Sequence, residues 1–278
     1  MRSERVRSGG TTLDVAVAGQ ENLPTVLFIN AVGMENRLMQ GLAEQFRSAG
    51  MNLVTWELRG SPGPSEVREV SLKDHTADAL AVVDALGLAH VHVAGWCTGA
   101  SIALFVAREL GDRALSFTSV DGALLFDGAP GARVGNAVFD MCAQIATDAG
   151  RAAHFHDVVR PRGNEGAALG VEDEELVRML TLPYRQGLEE LTRFAFGISA
   201  TCDYDPVEAC NRLSVPALFL ARRDDAMVGH RNSQRAAGLV EGAELQVAES
   251  GGHYALFTDP AETAATMAAF VRTAELTA

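Results

Sequence analysis

Residues 95–99, Gly-Trp-Cys-Thr-Gly, place a thiol between two closely spaced glycines. The apolar run 90–94 precedes them and the apolar stretch 100–107 follows, which indicates a strand, a tight turn and a helix. Glycine permits the sharp turn and the close approach of strand and helix that a side chain would block. The turn therefore presents the sulfur of Cys97 at a helix N-terminus, where the helix dipole and free N–H groups favour a thiolate.

The other three cysteines, Cys142, Cys202 and Cys210, lack this context. We interpret them as inert thiols that behave as small hydrophobic residues, and an inert buried thiol is also the alternative interpretation of Cys97. No two cysteines have the C-x-x-C spacing of a zinc or redox site. The sequence therefore predicts free thiols, a reducing compartment and no metal site.

Composition is typical of a soluble globular protein. The chain has 278 residues, of which 47% are hydrophobic and 21% charged, and it is long enough to bury a large core in one α/β domain. A formal net charge of −13 at pH 7 argues against nucleic acid and anionic membrane surfaces as partners. No apolar run is long enough to span a bilayer and no apolar signal core follows Met1, so we expect a cytoplasmic protein.

Short apolar runs alternate with helical segments through most of the chain. This alternation predicts an α/β fold with a mainly parallel sheet and helices on both faces. In such a sheet the catalytic groups lie at the C-terminal ends of the strands. A hairpin of residues 4–8 and 12–17 precedes the main sheet. The strands predicted for that sheet are 25–29, 52–56, 90–94, 114–120, 217–220 and 243–247.

The alternation is interrupted between residues 128 and 205. This stretch is rich in alanine, arginine and acidic residues and contains helical pieces but no convincing buried strand. We interpret it as a helical cap inserted over the active site. The predicted organisation is a core of residues 1–127 and 206–278, with the cap at 128–205. The helical pieces lie near 138–149, 173–182 and 186–197.

Two later loops carry the partners that a nucleophilic cysteine needs. Asp224 and Asp225 follow the strand 217–220, and His253 follows the strand 243–247. An ordinary thiol is only a few per cent thiolate at neutral pH, so a base that accepts its proton speeds attack. A histidine supplies that base, and a carboxylate holds the imidazole in the correct tautomer and stabilises its cation.

Nucleophile, acid and histidine follow one another along the chain in the order that a strand–turn–helix nucleophile requires. With this order the whole chain resembles the α/β-hydrolase fold family, with cysteine where serine usually stands. The resemblance implies that Cys97 is the nucleophile and His253 the general base.

The acid loop also resembles that of the family, in which the catalytic Asp stands three residues before a Val. This register favours Asp225, which precedes Val228 by three residues. Arg222 stands where the family usually has glycine, which leaves the register open to Asp224. Asp121 is a further alternative, because it ends a strand after which some family members place the acid.

Acyl transfer also requires an oxyanion hole. One donor should be the backbone N–H of Thr98, the residue after the nucleophile. The resemblance places the other donor at the N–H of Val32, in the stretch 30–33 where family members often carry His-Gly-X-Gly. Trp96, beside the nucleophile, and Tyr254, beside the base, are candidates for substrate binding, and the alternative for Trp96 is a packing role.

A cysteine nucleophile changes the acyl-enzyme from an ester to a thioester, which keeps the acyl group activated. Through Cys97 and its surroundings the chain is similar to cysteine-dependent shuttle enzymes of nonribosomal peptide assembly, which move aminoacyl groups between carrier-protein thiols. We therefore expect an acyl or aminoacyl transferase that acts on carrier-protein or pantetheine thioesters through acyl-Cys97. It would need no cofactor of its own, since phosphopantetheine belongs to the partner carrier protein.

Two other functions stay open at this point. One is a Cys–His–Asp hydrolase, namely a thioesterase, esterase or lactonase, and the other is a non-catalytic binding protein that kept the fold. The acidic net charge is awkward for the transferase, because carrier proteins are usually acidic too. A local docking patch would have to come from cap arginines, for which the candidates are Arg151, Arg160, Arg162, Arg185 and Arg193.

Overall fold

A computed structural model describes residues 1–59, 61, 70–126, 137–159 and 163–276. Over these residues eight strands form a single sheet, in the order β1-β2-β4-β3-β5-β6-β7-β8. β1 and β2 form an antiparallel hairpin, β2 pairs antiparallel with β4, and all later pairs are parallel. The strands are β1 (Arg2–Ser8), β2 (Thr11–Ala18), β3 (Thr25–Ile29), β4 (Asn52–Trp56), β5 (Val91–Trp96), β6 (Ala114–Val120), β7 (Ala217–Arg222) and β8 (Glu244–Ala248).

The predicted α/β fold with a mainly parallel sheet is confirmed. Every residue of the central strands β3 and β5 is buried, as expected for parallel strands that are covered on both faces. β5 runs two residues beyond the predicted strand, because Gly95 and Trp96 still pair with Ser119 and Val120 of β6. The sheet thus extends directly to the residue before Cys97.

Helices of the core pack in pairs. α2 contacts α3, and α1 contacts α12, which is the last helix of the described chain. No described helix combines the length and apolar character needed to cross a bilayer. The core helices are α1 (Gln40–Ser48), α2 (Leu72–Ala85), α3 (Thr98–Leu110), α10 (His230–Ala237), α11 (Ala255–Thr258) and α12 (Pro260–Glu275).

The chain between β6 and β7 contains helices and no strand within its described residues. α4 and α8 pack against each other, and Phe139, Ile145 and Phe194 are buried on these two helices. The start proposed for the cap, residue 128, lies outside the described residues. The helices of this stretch are α4 (Ala137–Thr147), α5 (Ala152–Val159), α6 (Glu165–Leu169), α7 (Glu174–Leu180), α8 (Leu188–Ala200) and α9 (Pro206–Asn211).

Candidate active site

Cys97 occupies the turn between β5 and α3 with an unusual backbone conformation, φ 52° and ψ −124°. A non-glycine residue in such a region costs about 1–3 kcal/mol, and its surroundings must hold it there. A methyl group on Gly95 would lie 2.4 Å from the carbonyl oxygen of Gly99, and one on Gly99 would lie 2.1 Å from the carbonyl oxygen of Ile29. Both contacts are shorter than atoms can approach, so these two positions require glycine.

Backbone hydrogen bonds from β6 and the segment after it fix the strained residue. The N–H of Cys97 donates to the Val120 carbonyl at 3.1 Å, and the Cys97 carbonyl accepts from the N–H of Ala123 at 2.9 Å. The side chain of Cys97 is then directed into a site where only 8% of the residue is exposed. Strain at one residue is thus held by contacts from a neighbouring strand, which is how strained functional residues persist.

The structure brings His253 and Asp225 to Cys97. The Nδ1 of His253 lies 2.8 Å from Oδ2 of Asp225, and the His253 ring also forms a side-chain hydrogen bond with Cys97. Since Nδ1 faces the carboxylate, Nε2 is the nitrogen that faces the thiol. The three side chains, all buried, form the continuous arrangement of nucleophile, base and acid that a catalytic triad needs.

Asp225 is held in place by its own loop. Its second oxygen, Oδ1, accepts hydrogen bonds from the N–H groups of Met227 at 2.7 Å and Val228 at 3.0 Å. Burial by itself raises the pKa of Asp225, but the hydrogen bond and charge of His253, together with these N–H groups, lower it below its usual value. The carboxylate therefore stays ionised, as a partner of an imidazolium must.

The two alternative acids have other partners. Asp224 accepts hydrogen bonds from the N–H groups of Gly251 and Gly252 at 3.1 and 2.9 Å, so it holds the loop that carries His253. Asp121 forms an ion pair with Arg222, and burial raises the pKa of Asp121 to about 7 in spite of that partner. Neither carboxylate takes the place beside His253 that Asp225 occupies.

Arg222, where the family pattern has glycine, carries a buried structural role. Its guanidinium pairs with Asp121 and donates from Nη2 to Oγ1 of Thr263 at 2.7 Å, which ties β6 and β7 to α12. In the sequence, Arg222 stands out only as a departure from the family pattern. A signal for the pair was present, because an acid and an arginine end two apolar strands that turn out to be neighbours.

Trp96 and Tyr254, the proposed substrate-binding residues, both line the cavity next to Cys97. Trp96 also supports the base, because its indole Nε1 donates to the carbonyl oxygen of His253 at 3.1 Å. The two rings lie 4.9 Å apart, centroid to centroid. Trp96 therefore positions His253, a contact across 157 residues of sequence that no local pattern could have indicated.

The two oxyanion candidates, Val32 and Thr98, are also adjacent, but not as expected. The Val32 N–H donates a hydrogen bond to Oγ1 of Thr98 at 3.1 Å, so it is already engaged. Thr98 is the first residue of α3, and its own N–H therefore has no intrahelical acceptor. Within the described residues the Thr98 amide is thus left without a partner inside its helix, and both oxyanion assignments remain predictions.

A cavity of about 260 Å³ opens beside Cys97 and His253. Its wall comes partly from the core and partly from the stretch between β6 and β7, and it is mostly apolar. The volume is slightly below the roughly 300–1,000 Å³ of pockets that hold drug-sized ligands. The stretch between β6 and β7 contributes Phe139, Leu180, Tyr184 and Phe194 to this wall, and the rest of the chain contributes Val32 and Met227.

Two of the remaining cysteines, Cys142 and Cys210, differ from Cys97 in their chemistry. All four cysteines are free thiols. Burial raises the pKa of Cys210 to about 12 and raises that of Cys142 further. Both thiols therefore stay protonated and unreactive at neutral pH.

We expect the pKa of His253 to be raised by its neighbours Cys97 and Asp225. Burial lowers the pKa of the ring, but the Cys97 sulfur and the Asp225 carboxylate outweigh it and raise that pKa from 6.5 to about 10. A raised pKa means that the imidazolium persists across neutral pH and is lost only as the pH approaches about 10. Nitrogen NMR of histidine-labelled protein, with His253→Gln to assign the signal, measures this value.

The Cys97→Ser variant is the control for that titration. It keeps Asp225 but removes the sulfur that contributes most to the upward shift. We therefore expect a lower His253 pKa in this variant than in the wild type. A His253 pKa at or below the ordinary 6.5 in the wild type would contradict the upward shift expected here.

Known proteins resemble this chain in sequence. A model of the alpha/beta hydrolase family matches residues 26–266. The chain is 30% identical over 221 residues to the "Putative carbamate hydrolase RutD" of Caulobacter vibrioides, which covers 75% of this chain and 76% of that protein. It is also 28% identical over 114 residues to 3-oxoadipate enol-lactonase 1 of Acinetobacter baylyi, a match that spans 41% of this chain and 42% of that protein.

Solved structures share the fold at lower identity. The enol-lactonase from Burkholderia xenovorans superposes with a TM-score of 0.77 at 17% identity, covering 97% of this chain and all of that one (100%). A bromoperoxidase from Bacillus anthracis superposes with a TM-score of 0.78 at 15% identity, covering 98% of this chain and 100% of the other. These structures share the fold, and the family model matched over residues 26–266 shows that the chain belongs to the α/β hydrolase family.

Proposed function

We propose that the protein is a hydrolase that cleaves esters, lactones or thioesters of small, uncharged acyl groups through an acyl-Cys97 intermediate. One observation carries the proposal: Cys97, His253 and Asp225 are hydrogen-bonded in series, and Cys97 and His253 line an apolar cavity. The relatives named as hydrolase and lactonase favour this activity over the transferase that the sequence analysis expected. Nothing in the comparisons supports transfer between carrier proteins.

The first half of the reaction acylates the enzyme. With its proton held by His253, the Cys97 sulfur forms a bond to the carbonyl carbon, and the π electron pair of that carbonyl moves onto its oxygen. The intermediate then collapses, the bond to the leaving oxygen or sulfur breaks, and the His253 imidazolium gives its proton to the departing group. The products are an alcohol or thiol and an acyl-Cys97 thioester.

The second half returns the enzyme to its starting state. His253, now neutral, takes a proton from water while the water oxygen attacks the thioester carbonyl. Collapse breaks the carbon–sulfur bond and releases a carboxylic acid and the Cys97 thiolate, which again faces the imidazolium. Asp225 holds the His253 ring in the same orientation for both steps, since its hydrogen bond is to the nitrogen that does not face the substrate.

The cavity wall indicates which acyl groups fit. Its described lining contains one carboxylate, Glu165, and neither a lysine nor an arginine. The one basic side chain of this lining is His253, whose proton the reaction uses, so a carboxylate on the acyl group would lose its hydration without gaining a further basic partner, which is costly. Apolar side chains such as Phe139, Leu180 and Phe194 instead favour a short aliphatic or aromatic acyl chain.

The cap arginines offered as a carrier-protein docking patch do not strengthen the transferase. The three that the structure describes each have an acidic neighbour, which offsets their charge locally. Arg160 and Arg162 lie outside the described residues. The pairs are Arg151 with Asp148 at 3.8 Å, Arg185 with Glu165 at 3.8 Å and Arg193 with Glu190 at 3.4 Å.

Two substrates of equal acyl length test the proposal, 4-nitrophenyl butyrate and mono-4-nitrophenyl succinate. We expect kcat/KM to be at least about tenfold higher for the butyrate, equivalent to about 1.4 kcal/mol of barrier. Release of 4-nitrophenol measures the rate. Faster cleavage of the succinate would show that the cavity recognises an anionic acyl group and would overturn the proposed substrate class.

The fate of the acyl group separates hydrolysis from transfer. Wild-type enzyme acylated with butyryl-pantetheine is followed by intact-mass spectrometry in buffer alone and with added pantetheine. For a hydrolase, water clears acyl-Cys97 at the rate of turnover and pantetheine changes the decay by less than about tenfold, or 1.4 kcal/mol. Slow decay in buffer with much faster discharge to pantetheine would instead establish the transferase.

A further inference from the structure

The hydroxyl of Thr98 lies between the nucleophile and the stretch 30–33, which we call the oxyanion loop. Its Oγ1 accepts the hydrogen bond from the Val32 N–H at 3.1 Å. Thr98 is 1% exposed to bulk solvent, yet it lines the cavity beside Cys97. Thr98 is thus buried in the protein and at the same time borders the cavity next to the Cys97 sulfur.

The hydrogen-bonding capacity of this hydroxyl is only partly used. A threonine hydroxyl can donate one proton and accept at two lone pairs. The Val32 N–H occupies one lone pair and leaves the proton free to point elsewhere. Within the described ranges of the chain, no protein atom accepts that proton.

We propose that the Thr98 hydroxyl is the second donor of the oxyanion hole, in the place that the sequence analysis gave to the Val32 amide. The inference rests on the function proposed above, because an oxyanion forms only if Cys97 attacks a carbonyl carbon. Thr98 then supplies both donors, its backbone N–H and its Oγ–H. Val32 acts through it, since a hydroxyl that accepts a hydrogen bond becomes a stronger donor.

The step requires no proton transfer at Thr98. As the carbon–sulfur bond forms, the π electron pair of the carbonyl moves onto oxygen, and the negative oxygen accepts hydrogen bonds from Thr98 N–H and Oγ–H. When the intermediate collapses, the pair returns and Thr98 keeps its proton. Donors already aimed at the site of developing charge lower the barrier because they need no reorganisation during the reaction.

Thr98→Val tests the inference, because valine matches the shape of threonine but has no hydroxyl. Loss of one oxyanion donor lowers kcat by about 10²–10³-fold in other enzymes. In Thr98→Val the Val32 N–H would be released and could donate to the oxyanion itself, which would recover part of the rate. We therefore expect the acylation rate to fall by at least about tenfold. Thr98→Ser restores the hydroxyl and should acylate within about fivefold of wild type. Rapid mixing with 4-nitrophenyl butyrate measures the acylation rate.

Two inhibitors distinguish an oxyanion role from a general disturbance of the site. A trifluoromethyl ketone forms a tetrahedral adduct with Cys97 that carries an oxyanion, whereas iodoacetamide alkylates the sulfur and forms none. In Thr98→Val we expect the affinity for the ketone to fall by about the same factor as the acylation rate. Alkylation by iodoacetamide should stay within about twofold of wild type, since it uses only the sulfur and its base.

The outcomes separate the inference from the function on which it rests. A Thr98→Val variant that acylates as fast as wild type, or faster, overturns the role of the hydroxyl and shows that it merely occupies the Val32 amide. Equal losses with both inhibitors would also overturn it, because the damage would then lie in Cys97 or His253. A wild type that forms no acyl-enzyme with any ester or thioester would instead refute the proposed function.

Discussion

Cys97→Ala should abolish the acyl-enzyme and lower kcat/KM for 4-nitrophenyl butyrate by at least about 10³-fold, because alanine offers no atom that can bond to the carbonyl carbon. The rest of the site should survive, since the backbone of this residue is held by bonds to Val120 and Ala123. Intact-mass spectrometry after brief mixing measures the adduct, and release of 4-nitrophenol measures the rate. Equal labelling of wild type and variant would contradict the assignment of Cys97.

Two further variants make this result specific to Cys97. Cys202 is another free thiol and is partly exposed, so Cys202→Ala should keep both the adduct and the turnover. Cys97→Ser keeps a nucleophile but forms an oxygen ester in place of a thioester. Neutral hydroxylamine cleaves thioesters readily and oxygen esters poorly, so it should discharge the acylated wild type but not the acylated serine variant.

Asp225→Asn should lower kcat by about 10³–10⁴-fold while the fold is kept, as loss of the acid does in a serine triad. An amide has nearly the shape of the carboxylate, but it cannot stabilise the imidazolium and it favours the wrong tautomer of His253. Steady-state kinetics measure the loss, and thermal unfolding checks that the variant is folded. The direct contact of 2.8 Å between Asp225 and His253 is the reason to expect so large an effect.

The neighbouring acids provide matched controls. The N–H groups of Gly251 and Gly252 donate to different oxygens of Asp224, and Asp224→Asn keeps one of these two acceptors. Its activity should therefore stay within about tenfold of wild type. Asp121→Asn leaves the guanidinium of Arg222 without its ionised partner and should mainly lower the free energy of unfolding. If Asp225→Asn stays active while Asp121→Asn loses activity without unfolding, the acid of this enzyme lies after β6.

Much of the site could be predicted because its chemistry depends on short-range features. The turn at Cys97 requires glycine at positions 95 and 99, and that requirement is visible as two letters in the sequence. The three-residue spacing from Asp225 to Val228 also indicated the acid. The structure gives its physical reason, because the Val228 N–H donates to Asp225 and holds it towards His253. The alternation of apolar runs predicted the parallel sheet, which places all three loops at one edge.

What the sequence could not decide are the contacts between loops that lie far apart along the chain. Asp121, Asp224 and Asp225 all follow or end one of two neighbouring strands. Only the packing of β6, β7 and the His253 loop shows which partner each carboxylate has. Asp121 pairs with Arg222, Asp224 accepts hydrogen bonds from the two glycines, and Asp225 contacts the imidazole. The bond from Val32 to Thr98 spans 66 residues. The Thr98 hydroxyl accepts a hydrogen bond from the Val32 N–H, which the sequence pattern had assigned to the oxyanion of the substrate.

By itself, the amino-acid sequence determined the fold class, the position of the thiol and the chain order of nucleophile, acid and base. These follow from backbone conformation and periodicity, which act over a few residues. Only the tertiary structure decided which acid faces His253, how Trp96 supports that base and how small and apolar the cavity is. Each of these depends on the distance between side chains from separate elements, and that distance is set when the sheet and the cap helices pack together.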